Sequence, residues 1–296
     1  MNRLVVLCAA IIAFVSCTQE NKPFFVQISD PQLGFMNGSA DCSPELELLE
    51  KAIVKVNNLN PEFVVFTGDL VHWRNDTLAL AAFDSLCTFI DKDITVYYLP
   101  GNHDVGNDAQ GWEVEAFVKR YGHDRFVHKT ADYTAIGFNT SVIKAQTEAE
   151  PAEYAWLEEQ LKGADPKKPI ILAAHFPIFT VVPDEPETYE NLPLPMREKY
   201  MALFEKYGVD TYLAGHQHKC MGAQHNGIDY VIASALGRQL GSDTHGYTIV
   251  TVSSRTIITS NAAARNRAMI LSSISGTAFI WRAGISCTKE QFSDVL

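Results

Sequence analysis

The chain passes from a strand into a group of reactive side chains at Thr95-Val96-Tyr97-Tyr98-Leu99-Pro100-Gly101-Asn102-His103-Asp104. The first five residues are apolar, aromatic or β-branched, which is typical of a buried strand. Behind Gly101 stand three side chains of the kinds that bind metal ions or transfer protons. Glycine and asparagine are also common turn residues, so this stretch alone does not separate an active site from a turn.

Four other largely apolar runs end in the same way. The polar residues that follow them are Asp30 after 24–29, Asp69 after 63–68, His175 after 170–174, and His216 and His218 after 211–215. Open α/β sheets bind their ligands at the carboxyl ends of the strands. We therefore predict that all five strand ends contribute to one site at one edge of the fold.

Strand and helix patterns alternate along the chain between residues 24 and 252. Helices are predicted near 43–56, 77–90, 112–120, 154–161 and 196–207, and further strands within 125–140, 228–234 and 247–253. This alternation indicates βαβ units, and the closely spaced later strands indicate a second sheet. The predicted fold class is α/β: a four-layer α/β-β/α sandwich with two mixed central sheets, in one domain over 24–252.

Two loops follow predicted strands. The loop at 181–195 is rich in proline and acidic residues, and the loop at 237–246 is rich in glycine. Each either borders the ligand-binding edge or simply connects two elements, and the sequence does not choose between these interpretations.

Residues 1–17 have the pattern of a signal peptide. Arg3 supplies a positive charge, and the apolar stretch 4–15 is too short for an ordinary membrane span. It ends in Val15-Ser16-Cys17, directly before a polar stretch. This pattern predicts a lipoprotein-type signal and an exported protein, in the periplasm or at the cell surface, with a lipid anchor on Cys17. A plain secretory signal with an incidental cysteine is the alternative.

The formal net charge of −11 over 296 residues argues against a nucleic-acid partner, because such proteins usually carry a basic patch. An anionic substrate is compatible with this charge, since bound metal ions can dominate a site. We expect a monomer that contacts a membrane only through the lipid anchor. The tail 253–296 has no clear period, and we assign it no function.

Four cysteines lie outside the signal and are widely scattered: Cys42, Cys87, Cys220 and Cys287. They form no C-x-x-C pair, which excludes the zinc-knuckle and disulfide-scaffold classes. One or two disulfides could form in an oxidising compartment, and the sequence does not define their pairing.

Carboxylates together with imidazoles suit manganese, iron or zinc. More donors converge than one ion requires, and none of them is a cysteine, so a closed structural zinc site is not expected. Two ions about 3.5–4 Å apart, bridged by one carboxylate, would use these donors and lower the pKa of a shared water. The predicted cofactors are therefore two divalent metal ions, either Mn, Fe or Zn.

The ordered motifs resemble the calcineurin-like metallophosphoesterases. They are Asp30, Gly68-Asp69, Gly101-Asn102-His103-Asp104, His175 and Gly215-His216-Gln217-His218, and the resemblance runs on to about residue 252. Local details resemble a subgroup named for its calcineurin-like phosphoesterase domain, whose animal members are regarded as serine/threonine phosphatases. These details are Ser29-Asp30-Pro31-Gln32, Gly68-Asp69-Leu70-Val71-His72 and Ala235-Leu236-Gly237-Arg238-Gln239-Leu240-Gly241.

The resemblance implies a role for each matching residue. Asp69 would bridge the two ions, Asn102, His175 and His216 would complete one site, and Asp30 and His218 would belong to the other. His103 would act as a general acid on the leaving-group oxygen or bind the phosphate, and Asp104 would orient His103.

One position departs from the family pattern. The first motif is usually Asp-x-His, and here it is Asp30-Pro31-Gln32. The purple acid phosphatase branch also lacks this histidine and uses a tyrosine three residues after the bridging aspartate, where this chain has His72. We hypothesise that His72 supplies the missing metal donor, with Gln32 as a weaker candidate. The alternative is that His72 is a solvated loop residue or contacts only the phosphate.

The resemblance implies an enzyme, a hydrolase that cleaves a phosphomonoester with a metal-bridging hydroxide as nucleophile. The substrate would be a phosphorylated small molecule or a phosphoprotein. Two alternatives stay open. One is a phosphodiesterase acting on cyclic nucleotides or lipid head groups. The other is a non-catalytic surface lipoprotein that binds a phosphorylated ligand or a glycan.

Overall fold

A computed structural model describes residues 23–38, 41–253, 256–263 and 285–286. The strands are β1 (Phe24–Ile28), β2 (Phe63–Thr67), β3 (Thr95–Leu99), β4 (Phe126–Lys129), β5 (Thr134–Gly137), β6 (Ile170–Ala173), β7 (Thr211–Ala214), β8 (Met221–His225), β9 (Ile228–Ile232), β10 (Gly246–Ser253), β11 (Thr256–Ala263) and β12 (Ile285–Ser286). The helices are α1 (Ser43–Leu59), α2 (Thr77–Cys87), α3 (Asn102–Val105), α4 (Gly111–Tyr121), α5 (Thr140–Lys144), α6 (Glu150–Lys162) and α7 (Leu194–Tyr207).

The strands form two six-stranded sheets. The first has the order β12-β11-β10-β1-β2-β3, and the second has the order β4-β5-β6-β7-β9-β8. In the first sheet β1, β2 and β3 run parallel, and β10 pairs antiparallel with β1. In the second sheet β5, β6, β7 and β9 run parallel, with antiparallel β4 and β8 at the edges. The prediction of two mixed central sheets is confirmed.

Alternating residues of the central strands divide the core into two apolar clusters. One cluster lies between the sheets and joins Phe25, Phe63 and Leu99 of the first to Ile171 and Leu213 of the second. The neighbouring strand residues belong to a larger cluster that includes the apolar sides of the helices. That cluster contains Val26, Val64, Leu49 and Phe83 on the side of the first sheet, and Leu172, Tyr212, Leu157 and Phe204 on the side of the second. Period-two alternation therefore covers both faces of each sheet, as the sandwich requires.

The helix ends follow local sequence signals, and several differ from the predicted bounds by a few residues. Helix α1 starts at Ser43, has Cys42 as its N-cap and runs to Leu59, three residues beyond the predicted end at 56. Helix α7 starts at Leu194, two residues earlier than expected, and ends at Tyr207. The next residue, Gly208, has a φ of 67° that suits a left-handed cap. Helix α2 is capped by the Asp76 carboxylate, which accepts from the amides of Leu78 and Ala79.

Part of the tail belongs to the first sheet, where β11 pairs antiparallel with β10 and β12 pairs with β11. The predicted signal segment 1–17 lies outside the described residues. Among the residues that are described, no helix is both long and apolar enough to cross a membrane. Cys42 and Cys87 are free thiols, and Cys220 is disulfide-bonded.

Candidate metal centre

The predicted donors follow five strands whose carboxyl ends meet at one edge of the sandwich. Three distances define the cluster. His175 Nε2 lies 3.4 Å from Asp69 Oδ1 and 3.2 Å from Asn102 Oδ1, and His218 Nε2 lies 3.3 Å from Asp30 Oδ1. All of these side chains are buried. Residues that are far apart in the chain therefore converge at the edge where the strand-end rule puts a ligand site.

The carboxylate of Asp69 belongs to two groups of possible ligands. Asp69, His175 and His216 form one, and Asp30, Asp69 and His218 form the other; within each, one donor atom per residue lies within 4.8 Å of the others. Asn102 adds its amide oxygen to the first group. Because this carboxylate is common to both groups, it could be a ligand to two neighbouring cations at once. The ligand role of these six residues stays a prediction, and the structure brings all six together.

Hydrogen bonds set which ring nitrogen each histidine turns toward the cluster. Nδ1 of His175 donates to the Thr67 carbonyl over 2.8 Å, and Nδ1 of His218 donates to the Arg238 carbonyl, so both present Nε2. His216 is reversed, because its Nε2 donates to the Tyr189 carbonyl over 3.4 Å. Its Nδ1 is buried and has no hydrogen-bond partner within the described part of the chain. A buried, unpartnered imidazole nitrogen among carboxylates fits a metal ion.

The charges of the cluster favour a bound cation. Burial by itself raises the pKa of Asp69, but the neighbouring His175 outweighs it and holds this pKa below its usual range. Burial lowers the pKa of His175, yet the Asp69 carboxylate raises it overall to about 9. Burial and then the charge of His175 lower the pKa of His216 to about 3. The Asp69 carboxylate thus favours a positive charge beside it, which a divalent ion would also supply.

Five residues of the cluster adopt left-handed backbone conformations. Their φ angles are 50° for Asp30, 38° for Gln32, 53° for Asp69, 71° for His216 and 51° for His218. This conformation costs a non-glycine residue about 1–2 kcal/mol, and such strain is concentrated at functional sites.

Gly68 shows why the turn before Asp69 needs a glycine. Its φ is 89°, and a Cβ atom there would lie 2.6 Å from both Gly101 N and His175 Nδ1. Such contacts are too close for any other side chain, so the glycine allows the β2 and β3 turns to meet.

The comparison with known proteins gives the same family as the motifs. The family model described as Calcineurin-like phosphoesterase matches residues 12–220. The chain belongs to the calcineurin-like phosphoesterase family. Serine/threonine-protein phosphatase CPPED1 of Danio rerio is 32% identical over 255 residues, covering 79% of this phosphoesterase and 82% of that relative. The resemblance to that subgroup is therefore confirmed, and the protein is a hydrolase.

Two solved structures share the fold. A dimetal phosphatase from Danio rerio aligns with a TM-score of 0.61 at 12% identity, covering 82% of this chain and 96% of that one. A purple acid phosphatase from yellow lupin aligns with a TM-score of 0.63 at 16% identity, covering 83% of this chain and 52% of that one. The family depends on two metal ions, and the two groups that share Asp69 are the candidate positions for them.

Asp104 has a different role from the one expected. Its carboxylate accepts hydrogen bonds from the amides of Asp69 (2.7 Å), Gly101 (2.8 Å) and Leu70 (3.0 Å). The His103 ring is held elsewhere, because its Nδ1 donates to the His72 carbonyl over 2.7 Å. Burial and then the charge of Asp69 raise the pKa of Asp104 to about 7. Asp104 therefore joins the β2 and β3 turns instead of orienting His103.

His72 belongs to neither group. Gln32 lies next to the shared residue, because its backbone amide donates to the Asp69 carbonyl over 2.9 Å. The His72 ring stacks on Phe35 at 4.7 Å between centroids and lies 5.0 Å from the His103 ring. His72 Nδ1 and Gln32 Oε1 are both buried and lack a hydrogen-bond partner in the described regions. The hypothesis that His72 replaces the missing histidine stays a prediction, and both candidate donors have a free atom.

Sequence reasoning missed Tyr189, which lies in the proline-rich loop. Its hydroxyl accepts a hydrogen bond from Asn102 Nδ2 over 2.7 Å. No motif surrounds this tyrosine, and its contacts depend on how the whole loop folds back. Only the position of the loop after a strand indicated that it borders the site.

Proposed function

We propose that this phosphoesterase hydrolyses phosphomonoesters with the help of two divalent ions. The observation that carries the proposal is the position of Asp69, which belongs to both groups of possible ligands. Asp69, Asn102, His175 and His216 would hold one ion, and Asp30, Asp69 and His218 the other. Bound there, two ions supply Lewis acidity toward the phosphoryl oxygens and lower the pKa of a coordinated water.

His103 is suited to the proton transfer that the reaction needs. Its backbone amide donates to Asp69 Oδ1 over 2.9 Å, which keeps the residue at the shared carboxylate. Its ring Nδ1 is bound to the His72 carbonyl, so Nε2 is the atom that can protonate a leaving oxygen. The ring is only partly buried, so substrate can reach it. This arrangement supports general acid catalysis by His103.

The exposed positive charge of Arg238 beside the candidate site favours an anionic substrate. Its guanidinium lies 4.8 Å from the centroid of the Phe35 ring, and that ring stacks on His72 and meets the edge of His218 at 5.6 Å. Arg238 is exposed and forms no ion pair with a carboxylate of the described residues. A phosphoester that reaches the metal centre would pass this positive charge, which favours its approach.

The proposal is tested with purified protein, its metal content and three classes of substrate. We expect two ions per chain and faster turnover of a mono-aryl phosphate than of the matching bis-aryl phosphate. Faster turnover of the bis-aryl compound would identify a phosphodiesterase instead. Two bound ions without turnover of aryl phosphates, phosphopeptides or sugar phosphates would point to a binding protein.

We also propose, from the sequence, that the enzyme is exported and anchored by lipid on Cys17. A bacterial lipoprotein carries several acyl chains, which gives stable attachment, whereas one chain binds only marginally. Cys17→Ser should release the protein from the membrane fraction or block its maturation. A wild-type protein that is already free in the periplasm or medium would contradict the anchor.

A further inference from the structure

Tyr189 contacts two of the four donors in the first group. Its hydroxyl lies 2.7 Å from Asn102 Nδ2, and its backbone carbonyl lies 3.4 Å from His216 Nε2. Its ring centroid is 4.9 Å from that of His216. We infer that Tyr189 is a positioning residue that orients Asn102 and His216 and so sets the metal affinity of this group alone. The inference rests on the two-metal centre proposed above.

Orientation matters for both residues because each has two chemically different ends. An asparagine amide presents an oxygen that binds metal ions or an NH2 group that does not. With Nδ2 bound to the Tyr189 hydroxyl, Oδ1 of Asn102 faces His175 Nε2 at 3.2 Å. The Tyr189 carbonyl acts in the same way on His216, since it accepts from Nε2 and leaves Nδ1 without a proton. Without these partners the amide could turn over and the imidazole could change tautomer.

The loop that carries Tyr189, residues 181–193, is built around a buried arginine. Arg197 is 0% exposed, and its Nη1 donates to the carbonyls of Pro183 (2.8 Å) and Glu185 (2.7 Å). Its Nε donates to the Leu192 carbonyl over 3.1 Å. These contacts secure the 181–193 loop on both sides of Tyr189.

A lysine and a carboxylate close the same loop near the tyrosine. Lys144 Nζ donates to the carbonyls of Thr188 and Asn191, each over 2.6 Å. The side-chain Nδ2 of Asn191 donates to Glu185 Oε1 over 2.7 Å, and Glu185 also accepts from the backbone amide of Val181 over 2.8 Å. Tyr189 is therefore held in place before a ligand binds, although its side chain is 52% exposed. A preorganised support of this kind keeps metal donors in a productive geometry.

The second group has a different support. Its histidine, His218, is held by the Arg238 carbonyl, and Asp30 accepts from the His216 amide over 3.0 Å. No hydrogen bond within the described parts of the chain joins Tyr189 to Asp30 or His218. A change at the Tyr189 hydroxyl should therefore weaken one ion and spare the other.

The test is calorimetric binding of Mn²⁺, and separately of Zn²⁺, to metal-free Tyr189→Phe. This substitution keeps the ring and the carbonyl and removes only the hydroxyl. We expect one of the two binding steps to weaken by about 10–100-fold, the usual effect of losing a partner of a metal ligand, while the other step is unchanged. Tyr207→Phe is the matched control, because the Tyr207 hydroxyl bonds Glu158 away from the centre, and both steps should be as in wild type.

A double-mutant cycle with Asn102→Ala separates positioning from general damage to the fold. If Tyr189 acts through Asn102, then Tyr189→Phe should weaken binding further by less than about 2-fold when Asn102 is already absent, since the two effects are not additive. Independent, additive losses would overturn the inference. So would wild-type affinities at both steps in Tyr189→Phe. A wild-type protein that binds fewer than two ions would overturn the proposed function as well.

Discussion

The two halves of the candidate metal centre share Asp69 but differ in how their remaining predicted donors are supported. In the half formed with Asn102, His175 and His216, each side chain has a hydrogen bond that points its donor atom inward. In the half formed with Asp30 and His218, the two candidates for a further donor, Gln32 Oε1 and His72 Nδ1, have no partner. The His72 ring is held by stacking on Phe35 instead. Polar contacts therefore hold every remaining donor of the first half. In the second half they hold His218 and Asp30 but neither candidate for the further donor.

This difference predicts unequal affinities for two chemically identical ions. Ligands that are held in position before binding lose less freedom when the metal arrives. We therefore expect the ion at Asn102, His175 and His216 to bind more tightly, and the ion at Asp30 and His218 to leave first when a chelator is added.

The largest effect is expected from Asp69→Asn, which should weaken metal binding in both halves and so remove the difference between them. A neutral amide cannot balance two cations, so metal content and turnover should fall together. Loss of several kcal/mol of charge stabilisation corresponds to a decrease in rate of about 10³-fold or more. Elemental analysis and steady-state kinetics on the same sample check this. Retention of two ions and wild-type turnover would rule out a shared carboxylate.

His103→Ala should lower the rate of hydrolysis while both metal ions stay bound. General acid catalysis contributes about 10²–10⁴-fold, so alkyl phosphates with poor leaving groups should lose about that much. An activated aryl ester should lose less, because its leaving group needs no proton. Equal losses on the two substrates would argue against the acid role, and loss of an ion would make His103 a ligand.

His72→Ala should increase the difference in affinity between the two ions, because it should weaken metal binding only in the second half. If His72 donates a ring nitrogen to that ion, its affinity should fall by at least about 10-fold, and excess metal should restore part of the activity. Gln32→Ala is the paired variant and should have the smaller effect, because an amide oxygen is the weaker ligand for these metals. Unchanged affinity in His72→Ala would leave Gln32 or water as the donor.

Arg238→Ala should have the smallest effect, and it should change substrate binding and not metal binding. An exposed ion pair is worth about 0.2–1 kcal/mol, so KM should rise by about 2–5-fold with little change in kcat. Metal binding by the second half should be unchanged, since the Arg238 backbone carbonyl that holds His218 is kept. A decrease in kcat without a change in KM would place the effect on His218 or His72 instead.

The sequence predicted which residues converge at the candidate centre because the expected donors follow a simple rule. Asp30, Asp69 and Asn102 end neighbouring parallel strands, and His175 and His216 end two more, so their convergence follows from the strand order. The contacts of Tyr189 were not predictable, since they depend on a loop shaped by the distant Arg197.

The role of Asp104 was missed for a different reason. Its partners are backbone amides, and every residue except proline carries one, so no motif marks them. Strand β11 was also missed, because its mixed small and polar residues at 256–263 lack the alternation of a half-buried strand.

The pairing of β1 with β10 has a consequence for the order in which the protein can be completed. Phe24 lies opposite Thr251, whereas β4 to β9 form their sheet from one uninterrupted stretch of chain, 126–232. Distant pairings bear the largest loop-closure entropy, so the second sheet can assemble before β10 has joined β1. Strand β1 leads into Asp30, and until that pairing forms it lacks one of its two neighbours. A chain that terminates before residue 246 should therefore retain the histidines of the second sheet without a finished centre.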